Sequence, residues 1–363
     1  MATDYDLDPD AIPEQLYEAG VAGAGGAGFP SAAKWEKLDE VHSLMVNHQE
    51  SEPDYYADKW LAKENAEEFA EFFDAMLDAD LFDRIVVGTK EKYRGKWTDE
   101  FEEACEADVY TQDDLPADLE DLEGVVFCYT GEMYDFSEEQ VLLMVTVGER
   151  IGRDLPTDHG WIVHNTETLW NIRNALADGT PVTRKYVHVD GDTPRHRCLD
   201  VPLGTTAADL LTAADIPPAD LPADAVLADG GPGWSYEIEE PPEEFGTRKR
   251  TNAVLVLDEE TVEEHTEQEG RINVLDERDW NDREHETTPA ELEPDVVRIP
   301  LITNAAYEGL VAPSEPVVEA GDEVSVGDLV AARVEGEISN NQHASVDGEV
   351  LEVTDTHVVL ERQ

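Results

Sequence analysis

Four glycines in six residues, within Gly23-Ala24-Gly25-Gly26-Ala27-Gly28-Phe29-Pro30, exclude regular helix or strand from this part of the chain. Glycine takes φ > 0 at no steric cost and carries no Cβ, so such a loop can turn tightly and lay its backbone against a ligand. Pro30 suits the first turn of a helix, where its missing N–H costs nothing. A helix starting there would offer unpaired N–H groups and a positive dipole end to a phosphate. Lys34, one turn on, adds a positive charge. The plainer reading is a flexible linker, which the position between two helical stretches argues against. As a dinucleotide signal alone the loop is weak, because no strand directly precedes it.

Around this loop the pattern alternates between helical and strand-like stretches from residue 10 to about 177. The periodicity predicts a short helix over 12–18, a helix from about Pro30, a strand over 41–47 and a long amphipathic helix over 55–77. Residues 85–88 and 125–129 are short apolar runs of the kind that suit buried parallel strands. Helices are expected over 137–147 and 167–177. Alternation of this kind predicts an α/β domain with a largely parallel sheet over 1–180. After Gly179-Thr180-Pro181 the period changes: strands over 185–190, 197–201 and 253–257 around a helix at 207–214 read as a small mixed unit over 181–257. The strongly acidic stretch 258–295 reads as a solvated helix or linker. From Val296 to Gln363, short β-branched runs separated by Gly321-Asp322, Gly327-Asp328 and Asp347-Gly348 predict an all-β domain of hairpins.

Composition narrows the function. The chain has 85 acidic and 25 basic residues, a net charge of -60. Self-repulsion on this scale strains a fold at low salt and is largely screened at molar salt, where the Debye length is about 3 Å. The acids are spread over every region, so a surface adapted to a salt-rich, halophilic cytoplasm is expected rather than an acidic tail. No basic patch is visible, which argues against nucleic acid as a partner. With no long apolar run and an acidic, polar start at Met1-Ala2-Thr3-Asp4, a soluble cytoplasmic protein is expected, with peripheral membrane association left open. Cys105, Cys128 and Cys198 are odd in number and far apart, so neither a disulfide framework nor a metal site is drawn from them.

Three further segments carry polar groups, the first of them at the end of a parallel strand, where open α/β sheets bind ligands. Asn47-His48-Gln49-Glu50-Ser51-Glu52-Pro53 follows a predicted strand, and its amide and carboxylates can bind ribityl or ribose hydroxyls; an ordinary polar loop is the alternative. Tyr134-Asp135-Phe136-Ser137-Glu138-Glu139 opens a helix, where acids are also plain helix chemistry. His164-Asn165-Thr166-Glu167-Thr168 lies between a strand and a helix, which Thr166 and Glu167 can cap.

In this order the four segments resemble the NADH-binding flavoprotein subunit family of respiratory complex I, on the branch of the Rnf complex C subunit and the cobalamin reductases. Gly23–Trp35 matches the family's GxGGAGFPTxxKW with Ser31 for threonine. Asn47–Pro53 matches N-x-(D/E)-E-x-E-P with Gln49 at an acidic position. Tyr134–Glu139 matches YxxGEE with Ser137 for glycine, and 163–169 matches VNNVETL with His164 and Thr166 as departures. The resemblance implies that Gly23, Gly25, Gly26, Lys34, Asn47, Glu50, Ser51, Asn165 and Thr168 contact FMN, with Gly28 and Tyr134 in the same motifs. It places Phe29, Glu52, Glu138 and Glu139 near NAD(H). Ser137 adds a side chain where the family keeps the backbone bare, which bears on nicotinamide stacking more than on FMN. Downstream, 184–257 resembles the soluble-ligand-binding β-grasp (SLBB) module, including Gly230-Gly231-Pro232, and 296–363 the barrel-sandwich hybrid domain. Lipoyl and biotinyl carriers share that hairpin fold, but no lysine follows Lys249, so a carrier is excluded. Family members carry cysteine motifs for iron–sulfur clusters; 258–295 has no cysteine, and clusters need thiolates.

The expected fold is therefore a Rossmann-like parallel-sheet α/β domain, a β-grasp module, an acidic linker in place of a cluster domain, and an all-β hybrid domain. The expected function is an FMN-dependent, NAD(P)H-linked oxidoreductase passing electrons to a partner protein or small acceptor, with no side-chain nucleophile and no metal. The rivals are a non-catalytic assembly subunit with a degenerate flavin pocket and a flavin-only corrinoid reductase.

Overall fold

Runs such as Ile85-Val86-Val87 and Val125-Val126-Phe127 are apolar on consecutive positions, which is what a strand covered on both faces requires. All six of these residues are buried. The structure, a computed structural model, describes residues 3, 5–304 and 311–363; Met1, Ala2 and Asp4 of the acidic start, and 305–310 of the C-terminal stretch, lie outside the described residues. The chain divides into two units, one of Met1–Val21, Ser31–Ser51 and Asp58–Thr180, the other of Ala22–Pro30, Glu52–Ala57 and Pro181–Gln363.

In the first unit the strands β1 (Ser43–His48), β2 (Arg84–Lys90), β3 (Asp108–Tyr110), β4 (Gly124–Thr130) and β5 (Trp161–Asn165) form one sheet in the order β3-β4-β2-β1-β5. Every pairing is parallel. The helices are α1 (Ile12–Glu18), α2 (Ala32–Trp35), α3 (Ala57–Glu64), α4 (Ala66–Asp78), α5 (Asp99–Ala104), α6 (Glu139–Val147) and α7 (Thr166–Asp178). Leu142, Leu143 and Val147 of α6 close one face on Met45, Val86, Val126 and Val163. A cluster of tilted and edge-to-face rings, Phe69, Phe73, Phe101 and Phe127, forms another part of the core. From β1 the chain passes to β2 on one side, while β5 arrives on the other. Ligands bind at such a switch point, beyond the carboxyl ends of the strands.

Two helical expectations are corrected here. The long helix over 55–77 is two helices, α3 and α4, broken at Asn65 (φ -121°, ψ 34°). Its side-chain amide donates to the Leu61 carbonyl at 2.9 Å, the local competition by which asparagine interrupts helices. The helix expected from Pro30 is only the four-residue α2. Pro30 instead forms an antiparallel bridge with Ala22.

The second unit holds a seven-stranded mixed sheet in the order β11-β9-β8-β10-β6-β7-β12. Its strands are β6 (Arg184–Gly191), β7 (Arg197–Pro202), β8 (Ala225–Gly231), β9 (Trp234–Glu237), β10 (Ala253–Asp258), β11 (Arg271–Ile272) and β12 (Ala290–Glu291). Helix α8 (Ala207–Ala213) buries Leu210 and Leu211 against Val187, Leu199, Val254 and Val256. The stretch 258–295 is not a linker. Helix α9 (Glu259–His265), β11 and β12 belong to this sheet layer, and Val262, Ile272, Val274 and Trp280 are buried with Leu255 and Leu257. Strand pairing uses backbone groups, so a segment poor in apolar side chains can still join a sheet edge.

The C-terminal stretch folds as two sheets. One, in the order β13-β19-β18-β15, contains β13 (Val296–Pro300), β15 (Glu323–Val324), β18 (Gly348–Val353) and β19 (His357–Arg362). The other, β14-β16-β17, contains β14 (Glu315–Pro316), β16 (Leu329–Ala332) and β17 (Gln342–His343). Val297, Ile299, Val330, Val350, Val358 and Leu360 lie in their shared core. Among the described residues no helix is long and apolar enough to cross a membrane.

Candidate functional site

Because β1, β2, β4 and β5 run parallel, the segments that follow them emerge at one edge of the sheet. Register pairs Asn47 at the end of β1 with Asn165 at the end of β5. The Asn47 amide donates to the Ser137 carbonyl at 2.7 Å. Asn165 caps α7, its side-chain oxygen accepting from the Thr168 N–H at 3.3 Å and from the Thr168 hydroxyl. The cap is thus Asn165, where Thr166 and Glu167 were expected. Asn165 Nδ2 in turn donates to Asp58 Oδ2 at 3.2 Å, and the Glu167 N–H to Asp58 Oδ1 at 2.9 Å. Asp58 is buried.

Glu50 stands at φ 44°, a conformation that costs a non-glycine residue about 1–3 kcal/mol and gathers at functional sites. Among the contacts that hold it, Oε2 accepts from the Asp58 N–H at 3.0 Å and its carbonyl accepts from the Tyr93 hydroxyl at 3.0 Å. Ser51 Oγ donates to the Tyr134 carbonyl at 2.8 Å, and Lys90 Nζ donates to Ser51 Oγ at 3.2 Å. Ser137, the residue replacing a family glycine, turns its hydroxyl onto the Tyr134 carbonyl at 3.1 Å. Lys34 is closed by two partners, Glu139 Oε1 at 2.6 Å and the Val163 carbonyl at 2.9 Å. Glu138 is exposed beside it. The structure therefore joins Lys34 to Glu139, Asn47 to Ser137, Ser51 to Tyr134, and Asn165 to Thr168.

The remaining predicted residues belong to the second unit. The loop from Ala22 to Pro30 is closed by the Gly23 N–H to the Phe29 carbonyl (2.8 Å) and the Gly28 N–H to the Gly23 carbonyl (2.9 Å). Gly26 (φ 97°) and Gly28 (φ 65°) hold left-handed conformations. A Cβ on Gly28 would stand 2.9 Å from the Thr303 carbonyl oxygen, whereas one on Gly26 would approach only Asn252 Nδ2, at 3.9 Å. The loop is thus pinned at Gly28 and open at Gly26. Gly25 is exposed and Phe29 half-buried. Glu52 Oε2 accepts from the Gly233 N–H at 2.9 Å, and its side chain fills the space a Cβ on Gly231 would need.

Sequence reading missed Asp58, Lys90 and Tyr93. Lys90-Glu91-Lys92-Tyr93 follows a parallel strand in a chain with nine lysines, and that scarcity was the available signal. His48 and His164, departures or fillers in the motifs, prove structural. His48 Nδ1 lies 2.8 Å from Thr166 Oγ1, and Trp35 Nε1 donates to His164 Nε2 at 3.0 Å. Burial, with the Lys59 charge adding, lowers His48 to about 3. Burial, with Lys34 adding, holds His164 well below its usual value. In the second unit burial lowers His196 to about 3 and His357 to about 4. Unfolded histidines titrate near 6.5. Below that pH the unfolded chain binds protons that the fold refuses, so this stability is present above pH 6.5 and is lost as pH falls toward 3–4. Each such group steepens the loss of stability as pH falls below 6.5. In molar KCl, which screens the carboxylates, the urea midpoint is expected to fall from pH 7 to pH 5, and less steeply in His48→Gln; equal midpoints at the two pH values would contradict this.

Residues 16–174 match the family described as the Nuo51 FMN-binding domain, and 285–363 match the RnfC barrel sandwich hybrid domain. A cobalamin reductase, PduS of Salmonella typhimurium, is 29% identical over 260 residues, covering 70% of this chain and 52% of its own. The C subunit of the ion-translocating oxidoreductase complex of Pseudomonas aeruginosa is 28% identical over 233 residues, covering 63% of this chain and 28% of its own. The chain thus spans about half the length of the cobalamin reductase and under a third of the Pseudomonas protein. A chain in the crystal structure of NAD+-reducing [NiFe]-hydrogenase in the H2-reduced state has the same fold, with a TM-score of 0.54, 24% identity, and coverage of 69% of this chain and 47% of that chain.

Proposed function

From a chain whose residues 16–174 match the Nuo51 FMN-binding domain family and whose residues 285–363 match the RnfC hybrid domain family, we propose an FMN-dependent, NAD(P)H-linked electron-transfer protein. One observation carries the reading: polar side chains from four parallel strands gather at the carboxyl edge of the sheet, beside the switch point between β1 and β5. The site suits FMN on its own terms. Glu50 is held in a costly conformation there.

In this reading Asn47, Ser51, Asn165 and Thr168 are the hydrogen-bonding groups for the flavin; Gly23, Gly25 and Gly26 are assigned to it by their motif alone. Glu50 and Lys34 orient neighbouring segments, the first through the Asp58 N–H and the second through Glu139 and Val163. Tyr134, Glu138 and Glu139, with Phe29 and Glu52, are assigned to the nicotinamide nucleotide by their motifs. Bound FMN supplies exchange between a two-electron donor and one-electron acceptors, and the protein orients the two rings and sets the electrostatics. The chain's three cysteines, two of them buried, do not make the four-thiolate set of a cluster. We therefore assign the outgoing electrons to a partner protein or a small acceptor such as a corrinoid. The seven-stranded sheet is read as the β-grasp module, and the surroundings as a cytoplasm or membrane surface of high salt.

An assembly role without redox chemistry is favoured by one observation, the closure of Lys34 on Glu139. Anaerobic addition of NADH to the FMN-loaded protein in molar KCl separates the two. Bleaching of the flavin's visible absorption is expected; a loaded protein that neither NADH nor NADPH bleaches contradicts the nicotinamide half of the reading.

A further inference from the structure

Three of the chain's nine lysines converge on one aromatic ring of the first unit. The ammonium groups of Lys59, Lys92 and Lys90 lie 4.7, 5.6 and 6.0 Å from the centre of the Tyr93 ring. Lys90 is 3% exposed and sits at the carboxyl end of β2. Its one hydrogen-bond acceptor among the described residues is Ser51 Oγ, and no carboxylate oxygen of those residues comes within 4.0 Å. Lys92 reaches Glu132 at 3.5 Å, near the surface. A buried ammonium without an ion pair is expensive, and more so in a chain where acids outnumber bases by 85 to 25. Burial first, then Lys92 and Lys59, lowers Lys90 to about 7, against the opposing pull of Glu50 and Glu132.

Resting on the FMN reading above, we infer that Lys90, supported by Lys59 and Lys92, is the positive charge that faces the flavin ring and stabilises its reduced, anionic form. Lys34, the other lysine of the site, is already neutralised by Glu139. Ser51, to which Lys90 donates, lies in the 47–53 segment assigned to the flavin. Uptake of a hydride (two electrons and one proton, from a reduced nicotinamide) at N5 leaves a negative charge delocalised over the N1–C2=O end of the ring. A single delocalised charge on a flat ring is what a largely buried ammonium against a tyrosine can accept. A phosphate dianion would demand several donors from several directions, and the Ser51 hydroxyl beside Lys90 already donates to the Tyr134 carbonyl. A charge near N1 is one of the protein's means of tuning a flavin.

The test compares wild type with Lys90→Gln, both loaded with FMN, by the equilibrium reduction potential and by the affinity ratio of FMN to riboflavin. In Lys90→Gln, reduced FMN is expected to lose about tenfold in binding relative to oxidised FMN, a midpoint lower by about 30 mV for a two-electron couple. The FMN-to-riboflavin ratio is expected to stay as in wild type. Removal of an unpaired buried charge is expected to leave the ligand-free variant melting no lower than wild type. An unchanged potential overturns the inference, and so does a collapsed FMN-to-riboflavin ratio, which assigns the charge to the phosphate. If Lys90→Gln does not fold, Lys92→Gln carries the same test with a smaller drop in potential. A wild-type protein that takes up no FMN is the separate outcome that removes the flavin reading itself, and this inference with it.

Discussion

Asp58→Ala is expected to cost about 3–5 kcal/mol and to abolish FMN retention. The carboxylate is buried and accepts the Glu167 N–H at 2.9 Å and the Asn165 amide at 3.2 Å. Hydrogen bonds to a charged group contribute about 1.5–3 kcal/mol each, and a buried donor left unpaired adds its desolvation cost. Alanine strands both donors, so the start of α7 loses its anchor at the point where Asn165 and Thr168 present themselves. Asp58→Asn, which keeps an acceptor oxygen, is expected to lose less than half as much. Urea unfolding of the three proteins in molar KCl measures the effect; a loss under about 1 kcal/mol for alanine would refute the anchoring role, since surface changes fall in that range.

Gly28→Ala is expected to be nearly as damaging, at about 2–5 kcal/mol. A methyl group there stands 2.9 Å from the Thr303 carbonyl oxygen and 3.0 Å from Asn304 Cβ, at φ 65°. Left-handed backbone costs a side chain about 1–3 kcal/mol, and overpacking adds about as much again. Asn304 also donates to the Ala27 carbonyl at 2.7 Å, so a displaced loop gives up that bond. Gly26→Ala separates folding from binding. Its φ of 97° carries the backbone cost, but its surroundings are open. It is expected to lose about 1–2 kcal/mol of stability and most of its FMN affinity. Equal stability of the two variants would show that the loop does not pack as described.

Much of this was legible in the sequence, for reasons visible at particular residues. Consecutive apolar residues at 85–87 and 125–127 announced strands covered on both faces, and the Gly-Asp turns at 321 and 327 announced hairpins; both glycines have positive φ. The segments after residues 46 and 163 pointed to the carboxyl edge of the sheet because each follows a strand, β1 or β5. What was hidden depended on partners far away in the chain. Asp58 looked like an ordinary helix acid until Glu167 met it 109 positions on. Lys34 looked like a free charge until Glu139 closed it 105 positions on. The role of 258–295 was hidden because its place in the sheet rests on backbone pairing and four well-spaced apolar residues, which its acidic composition masks. The break at Asn65 is a local side-chain-to-carbonyl bond inside an otherwise helical pattern, to which periodicity is blind.

Titration of the flavin-free wild-type protein with FMN in molar KCl tests the flavin site most directly. Saturable quenching of flavin fluorescence at one FMN per chain is expected, with a yellow protein after gel filtration. A protein that stays colourless and leaves the flavin fluorescence unquenched would contradict the FMN reading.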